Sequence, residues 1–267
     1  MRPFYVVVIV TWVGLWSPLI AADGVLVVQR TSTDGKERTT ETQIEAQRMR
    51  TEVDGGMGVS RVVVFEGTKQ VMYLIDPTRK SYGEMTKADA DRMGSQFSES
   101  MAKMQSMLQN MPPEKRAQME TMMKGRGGAA SAGPGFAAAR IEYKKTGASK
   151  VGKWACDTYE GYQNGQKVSD VCAAAPETLG LRPADFAVTK QFAEFFRAIV
   201  PQGADSLFQA GRPEDKGFSG IPVRNRSTVA GRTMVTEIVE VSRKTFDHAV
   251  FAVPAGFTKD PYPFGPR

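Results

Sequence analysis

The sequence has little of the chemistry on which most enzymes depend. It contains one histidine, His248, and two cysteines, Cys156 and Cys172, among 267 residues. A zinc site needs about four ligands, and redox dithiols favour a C-x-x-C spacing, so neither kind of site is expected. We therefore predict no metal, no cofactor and no redox activity.

Nucleophile and phosphate-binding motifs are also missing. No G-x-S-x-G turn occurs, because the glycines that flank Ser219 have the wrong spacing. The run GASKVGK over 147–153 continues with Trp154, where a phosphate loop needs a hydroxyl. His248 follows Asp247 in TFDHAVF, which we interpret as a strand, so these neighbouring side chains point to opposite faces. The sequence predicts a protein that is not an enzyme.

Clusters of basic residues are lacking, although the formal net charge is +6. Nucleic-acid binders carry a basic stripe or a recognisable motif, so no nucleic-acid partner is expected. A scattered basic surface is compatible with contact to anionic lipid headgroups or acidic glycans. The net positive charge is therefore compatible with contact to a membrane surface, but it does not indicate a more specific function.

Only one long apolar run is present, at residues 3–22, and it follows Arg2. A positive residue, an apolar core, Pro18 and the small residues Ala21 and Ala22 have the order of a secretory signal. We predict a signal peptide at 1–22 and export to the periplasm or the extracellular space. The alternative is an uncleaved anchor, because about twenty apolar residues can span a bilayer. No transmembrane segment is expected after the signal.

Both cysteines flank a strong hairpin signal, Asn164-Gly165. A three-residue loop over 163–165 would pair Tyr162 with Gln166 and place Cys156 opposite Cys172. Two thiols at this separation in an oxidising compartment favour a structural disulfide. The hairpin and the cysteines together predict one cross-strand disulfide bond.

The remaining pattern runs strands, helix, strands, helix, strands. Helical insertions are expected near 86–124 and 183–200, a flexible Gly/Ala loop at 125–139, and a loose tail at 261–267. Strands and helices do not alternate regularly, which argues against a parallel sheet. We predict an α+β fold in one domain, 23–260, whose large curved antiparallel sheet wraps around the helical insertions.

Each predicted helix has an apolar stripe at steps of three or four residues. These residues either pack on the sheet as core or line a ligand cavity, and methionine suits both roles because it is flexible. The candidate cavity-lining residues are Phe97, Met101, Met104, Leu108, Phe192, Phe195, Phe196 and Ile199.

Four stretches carry a resemblance to known proteins: VMYLIDPTRKSYGEM, GKWACDTYEGY, GIPVRNRS and FAVPAGFTKDP. They resemble an uncharacterised family of exported bacterial proteins, a domain of unknown function. That family is similar in turn to the lipoprotein-carrier (LolA/LolB-like) fold, an incomplete antiparallel β-barrel covered by helices. The resemblance covers residues 23–260 and implies a hydrophobic cavity, but its motifs are structural.

Two functions from different classes follow. The first is an exported binder of a lipid or another hydrophobic small molecule, held between the curved sheet and the helices. The second is a structural or interaction module for an envelope protein, whose cavity is filled by its own side chains. An apolar cavity of several hundred cubic ångströms would favour the first.

Overall fold

A computed structural model describes residues 24–54, 60–110, 112, 115, 141–199, 217–229 and 231–261. The predicted signal peptide and the Gly/Ala loop at 125–139 lie outside these residues, as does the predicted tail from residue 262 onward. Within the described ranges, no helix combines the length and apolar character needed to cross a bilayer.

Twelve strands, two α-helices and three short 3₁₀ helices make up the described structure. The strands are β1 (Gly24–Thr33), β2 (Lys36–Ile44), β3 (Arg48–Asp54), β4 (Ser60–Glu66), β5 (Val71–Asp76), β6 (Ser81–Thr86), β7 (Glu142–Val151), β8 (Trp154–Gln163), β9 (Gln166–Ala174), β10 (Ile221–Val229), β11 (Arg232–Lys244) and β12 (Thr258–Lys259). The helices are α1 (Lys87–Gln109), α2 (Ala187–Ile199), η1 (Pro176–Leu179), η2 (Pro183–Phe186) and η3 (His248–Phe251).

All twelve described strands belong to one sheet in the order β12-β6-β5-β4-β3-β2-β1-β11-β10-β9-β8-β7. Every neighbouring pair is antiparallel except β12 and β6, which are parallel. The two edge strands, β12 and β7, do not pair with each other, so the sheet stays open and forms an incomplete barrel. The predicted α+β fold, a large antiparallel sheet with helical insertions, is confirmed.

The β8–β9 hairpin confirms the disulfide but corrects the predicted register. Asn164 and Gly165 both have positive φ, 52° and 77°, which gives a two-residue turn and pairs Gln163 with Gln166. Tyr162 therefore faces Lys167, and the predicted three-residue loop is wrong.

A register shift between Gly161 and Tyr162 changes the pairing again farther along the hairpin, so Cys172 faces Thr158. The Cys156–Cys172 bond is present, with a Cα–Cα distance of 5.4 Å, and joins the two strands diagonally. The predicted partners are correct, although Cys156 itself does not lie opposite Cys172.

Local sequence sets where both α-helices begin. Thr86 and Asp89 form a reciprocal cap: the Asp89 backbone N–H donates to Thr86 Oγ1, and the Thr86 backbone N–H donates to Asp89 Oδ2. Pro183 opens the second helical region, as predicted. Its first turn is the 3₁₀ helix η2, and α-helical geometry begins at Ala187.

One row of apolar side chains crosses five strands of the sheet. Ile44, Met49, Phe65, Met72 and Met85 are successive cross-strand partners from β2 to β6. Cross-strand partners lie on the same face of a sheet. The helix α2 covers this row, and its buried side chains belong to the same hydrophobic cluster.

The opposite face of β4 is covered by residues 245–260, which we call the C-terminal strap. Val62 and Val64 pack there with Phe246 and Phe251 of the strap. We interpreted TFDHAVF, residues 245–251, as a strand, but the structure has η3 there. The Asp247 side chain accepts a hydrogen bond from the Ala249 backbone N–H and starts a tight turn. Strand β4 is thus buried on both faces, which explains its run of valines.

A partly buried ion pair anchors η2 to the sheet. Arg243 donates to both carboxylate oxygens of Asp185, at 2.9 and 2.6 Å, and the Arg182 backbone N–H donates at 2.7 Å. Burial alone would raise the pKa of Asp185, but these donors hold it below its usual value. The ionised carboxylate is therefore the form that stabilises the fold.

Replacing Asp185 by asparagine is expected to reduce the free energy of unfolding by about 2 kcal/mol near neutral pH. A carboxyl whose pKa is lowered on folding contributes stability above its unfolded pKa, and that contribution is lost as the pH falls through the lower folded pKa. The difference between wild type and Asp185→Asn should therefore shrink below about pH 3.9. Urea unfolding at several pH values measures it, and a difference independent of pH would contradict the role of the ion pair.

Candidate functional site

The helix α1 divides into a buried stem and an exposed half at Gly94. Ala90 is buried and Met93 is half-buried against the cluster under α2. A Cβ atom on Gly94 would lie only 1.9 Å from the backbone oxygen of Ala198, so a glycine permits α1 and α2 to cross closely here. The stem is fixed to the body of the protein by this crossing.

Beyond Gly94, every described side chain of α1 is exposed to solvent as far as Gln109. At 1.5 Å per residue, this part of the helix is about 22 Å long. We call residues 95–109 the exposed half of α1. It carries Glu99 and Lys103 as its only charged residues in the sequence, one of each sign.

Apolar side chains on this exposed half are open to solvent. Phe97 is 45% exposed and Met107 is 68% exposed. The spacing of Met101, Met104 and Leu108 places them along the same stripe as Phe97, although their side chains lie outside the described part of the structure. The four α1 candidates predicted from the sequence therefore all lie on the exposed half of the helix, beyond its contact with α2.

The α2 candidates lie instead in a closed core. Phe192 and Phe195 are 1% and 2% exposed, and their ring centroids lie 5.0 and 5.4 Å from that of Phe65. Phe196 packs against Phe192, with ring centroids 5.4 Å apart and the rings tilted by 57°, and like Ile199 it is half-buried at the margin of this cluster. The structure brings these four candidates together, but Phe97 is not part of their cluster.

A small pocket lies away from both helices, at the ends of β4, β5 and β6. Its volume is about 20 Å³, and it is lined by polar residues that include Arg61, Asp76 and Asp260. A volume of this size holds about one water molecule. This pocket is therefore too small for an acyl chain.

The residues considered for catalysis do not form a catalytic group. Ser219 and His248 are both exposed, and Asp247 is hydrogen-bonded to a backbone N–H rather than to His248. In the described ranges, no three side chains of His, Cys, Asp or Glu lie close enough to hold a metal ion. His248 instead contacts Arg48, a long-range partner that the sequence does not indicate.

The sequence model of a protein family matches residues 101–257, more than half of the chain; its description is "Domain of unknown function (DUF4412)". The chain belongs to this family. The DUF4412 match runs from the exposed half of α1 to the C-terminal strap, and it confirms the sequence-based assignment to a family of unknown function. No curated protein matches the sequence.

Several solved structures match this DUF4412 chain at low identity. An uncharacterised conserved protein from Thermus thermophilus matches with 8% identity and a TM-score of 0.41, over 90% of this chain and 91% of that one. A LolA superfamily protein from Nitrosomonas europaea matches with 9% identity and a TM-score of 0.25, over 87% and 90%. PNGF-II matches with 10% identity and a TM-score of 0.36, over 90% of this chain but only 31% of PNGF-II.

Proposed function

We propose that this protein is an exported, non-enzymatic module that binds a lipid or another hydrophobic ligand against the exposed half of α1. The observation that carries the proposal is the contrast within one helix. Its stem is buried against α2, whereas Phe97 and Met107 are open to solvent farther along. Apolar side chains left open to solvent along one helix are available to contact a ligand.

Export is supported by two independent features. The described cysteines, Cys156 and Cys172, are joined in a disulfide, and disulfides persist chiefly in oxidising compartments. The apolar run at residues 3–22 follows a basic residue and ends in small residues, the order expected of a secretory signal. Both features favour the periplasm or the extracellular space.

The choice of α1 over α2 as the ligand-binding element follows from packing. Phe65, Phe192 and Phe195 already fill the space between α2 and the sheet, so a ligand there would have to displace aromatic core. Four methionines, at positions 101, 104, 107 and 111, follow Phe97 along the chain. Flexible thioether side chains adapt to ligands of variable shape, such as acyl chains.

Titration with cis-parinaric acid, a fluorescent fatty acid, tests this proposal. Replacing Phe97 by glutamate should weaken binding at least about tenfold, because a charge replaces an aromatic side chain that would be buried by the ligand. The matched control is Ser106→Glu, which adds the same charge at an exposed position on the other side of α1. Binding that is absent in the wild type, or weakened equally by both changes, would contradict the proposal.

The closed aromatic cluster favours a second candidate, an interaction module without a small ligand. In that case the exposed half of α1 would contact an envelope protein through Phe97 and Met107. The same titration separates the two functions, since an interaction module would not bind cis-parinaric acid. Native mass spectrometry of the purified protein would then find no lipid.

A further inference from the structure

A polar cluster joins the β2–β3 hairpin to the C-terminal strap. One terminal nitrogen of Arg48 lies 2.6 Å from Glu45 Oε2 and 3.1 Å from His248 Nδ1. The guanidinium also lies 4.9 Å from the ring centroid of Phe251. Arg48 therefore contacts the strap at two points, the imidazole of His248 and the aromatic ring three residues later.

The contact with His248 requires a neutral imidazole. A guanidinium has only N–H donors, so Nδ1 of His248 must accept the hydrogen bond and the ring proton must be on Nε2. Protonation would turn Nδ1 into a donor and place a second positive charge beside Arg48. The contact cannot survive in that form.

Arg48 is not free to move away from the protonated ring, because Glu45 holds it. Glu45 is buried, and its other carboxylate oxygen, Oε1, has no hydrogen-bond partner among the residues that the structure describes. Loss of Arg48 would remove the charged partner that this buried carboxylate has in the described part of the chain, which is much more costly than losing an exposed contact. His248 is exposed, so the imidazole is the group that gives way.

We propose that His248 is a pH-sensitive latch that strengthens the docking of the C-terminal strap on the sheet at neutral pH and loosens it as the pH falls. Among the described residues, the charged groups around it are Arg48, which contacts it, Glu45, which binds the same nitrogen of Arg48, and the preceding residue Asp247, whose carboxylate is already engaged by the Ala249 backbone N–H. Below the strap lie apolar side chains of β1 and β4, including Leu26 and Val64. Local opening of the strap exposes them to solvent.

The amino-acid composition makes this latch simple to test. His248 is the only histidine, and both cysteines are in the disulfide. Imidazole is the one side chain whose ordinary charge change falls between pH 5 and 8. A change in strap protection over this range that depends on His248 is therefore the signature of the latch.

Hydrogen exchange of the full chain measures strap protection directly. After correction for the intrinsic exchange rate, peptides from residues 245–260 should exchange roughly fivefold faster at about pH 5.5 than at about pH 7.5. The variant His248→Gln keeps a side-chain oxygen that can accept from Arg48 at both pH values, so it should remove this difference. Peptides of β8 and β9 serve as the internal control.

Two results would overturn the proposal. One is equal corrected exchange of the strap at the two pH values in the wild type. The other is a pH-dependent change of the same size in His248→Gln, which would assign it to a different group, such as the terminal amine. Because His248 is exposed, the variant should fold as the wild type does, and its exchange in β8 and β9 verifies this.

Discussion

Replacing Phe65 by alanine is expected to lower the free energy of unfolding by about 4 kcal/mol. Phe65 has no exposed surface, and it contacts two aromatic rings of α2, those of Phe192 and Phe195. Truncation removes these contacts and leaves a cavity between helix and sheet that a rigid strand cannot close. Urea unfolding monitored by circular dichroism measures the loss.

The matched control is Phe97→Ala, the same change at an exposed position on α1. Its effect should stay within about 0.5 kcal/mol, as for most surface substitutions. A loss below about 1 kcal/mol at Phe65 would show that the interior is loosely packed. A loosely packed interior could accommodate a ligand between α2 and the sheet. That outcome would contradict the closed packing of Phe65, Phe192 and Phe195 described above.

Removing the disulfide is the second change with a large expected effect. The double variant Cys156→Ala, Cys172→Ala should lose about 3 kcal/mol, because the bond closes a loop with a sequence separation of 16 residues. For a chain of this length, the melting temperature should fall by roughly 10 °C. Scanning calorimetry measures the shift.

A reductant provides the control for the cysteine variant. Reduced wild type should melt near the temperature of the double variant, and the double variant itself should not respond to the reductant. An unchanged melting temperature in both experiments would mean that the bond adds nothing to stability. The disulfide would then be excluded as the feature that stabilises the β8–β9 hairpin.

Much of the fold could be predicted because its signals are local. Asn164-Gly165 marks a hairpin, Thr86 and Asp89 mark a helix start, and Pro183 marks another. Each depends on residues close together in the chain. The register of β8 and β9 could not be predicted, because a shift between Gly161 and Tyr162 leaves no distinct pattern in the sequence.

The candidate site was harder to predict, because it depends on contacts between residues that are far apart in the chain. Helical spacing identified the apolar stripes of both helices, but spacing does not say whether a neighbour covers them. The structure shows that Phe192 is buried and Phe97 is exposed, because Phe65 comes from a distant strand to meet α2. The contact between Arg48 and His248, 200 residues apart in the chain, likewise depends on tertiary structure alone.

The apolar side chains exposed on α1 and the closed aromatic core under α2 together determine where the proposed ligand would bind. A ligand that binds along an exposed helix stripe needs no preformed deep cavity, and the protein can release it without unfolding its core. The stem of α1, fixed by the close crossing at Gly94, would position such a stripe while the rest of the helix remains accessible. Ligand binding and stability would then depend on different residues, Phe97 for the first and Phe65 for the second.

Native mass spectrometry tests the proposed function most directly. The mature protein is purified from its exported fraction, incubated with a total lipid extract and sprayed with and without prior organic extraction. We expect a defined excess mass that extracts as lipid and is lost in Phe97→Glu but retained in Ser106→Glu. A bare polypeptide mass after incubation, lower by two hydrogens for the disulfide, would contradict the proposed lipid binding.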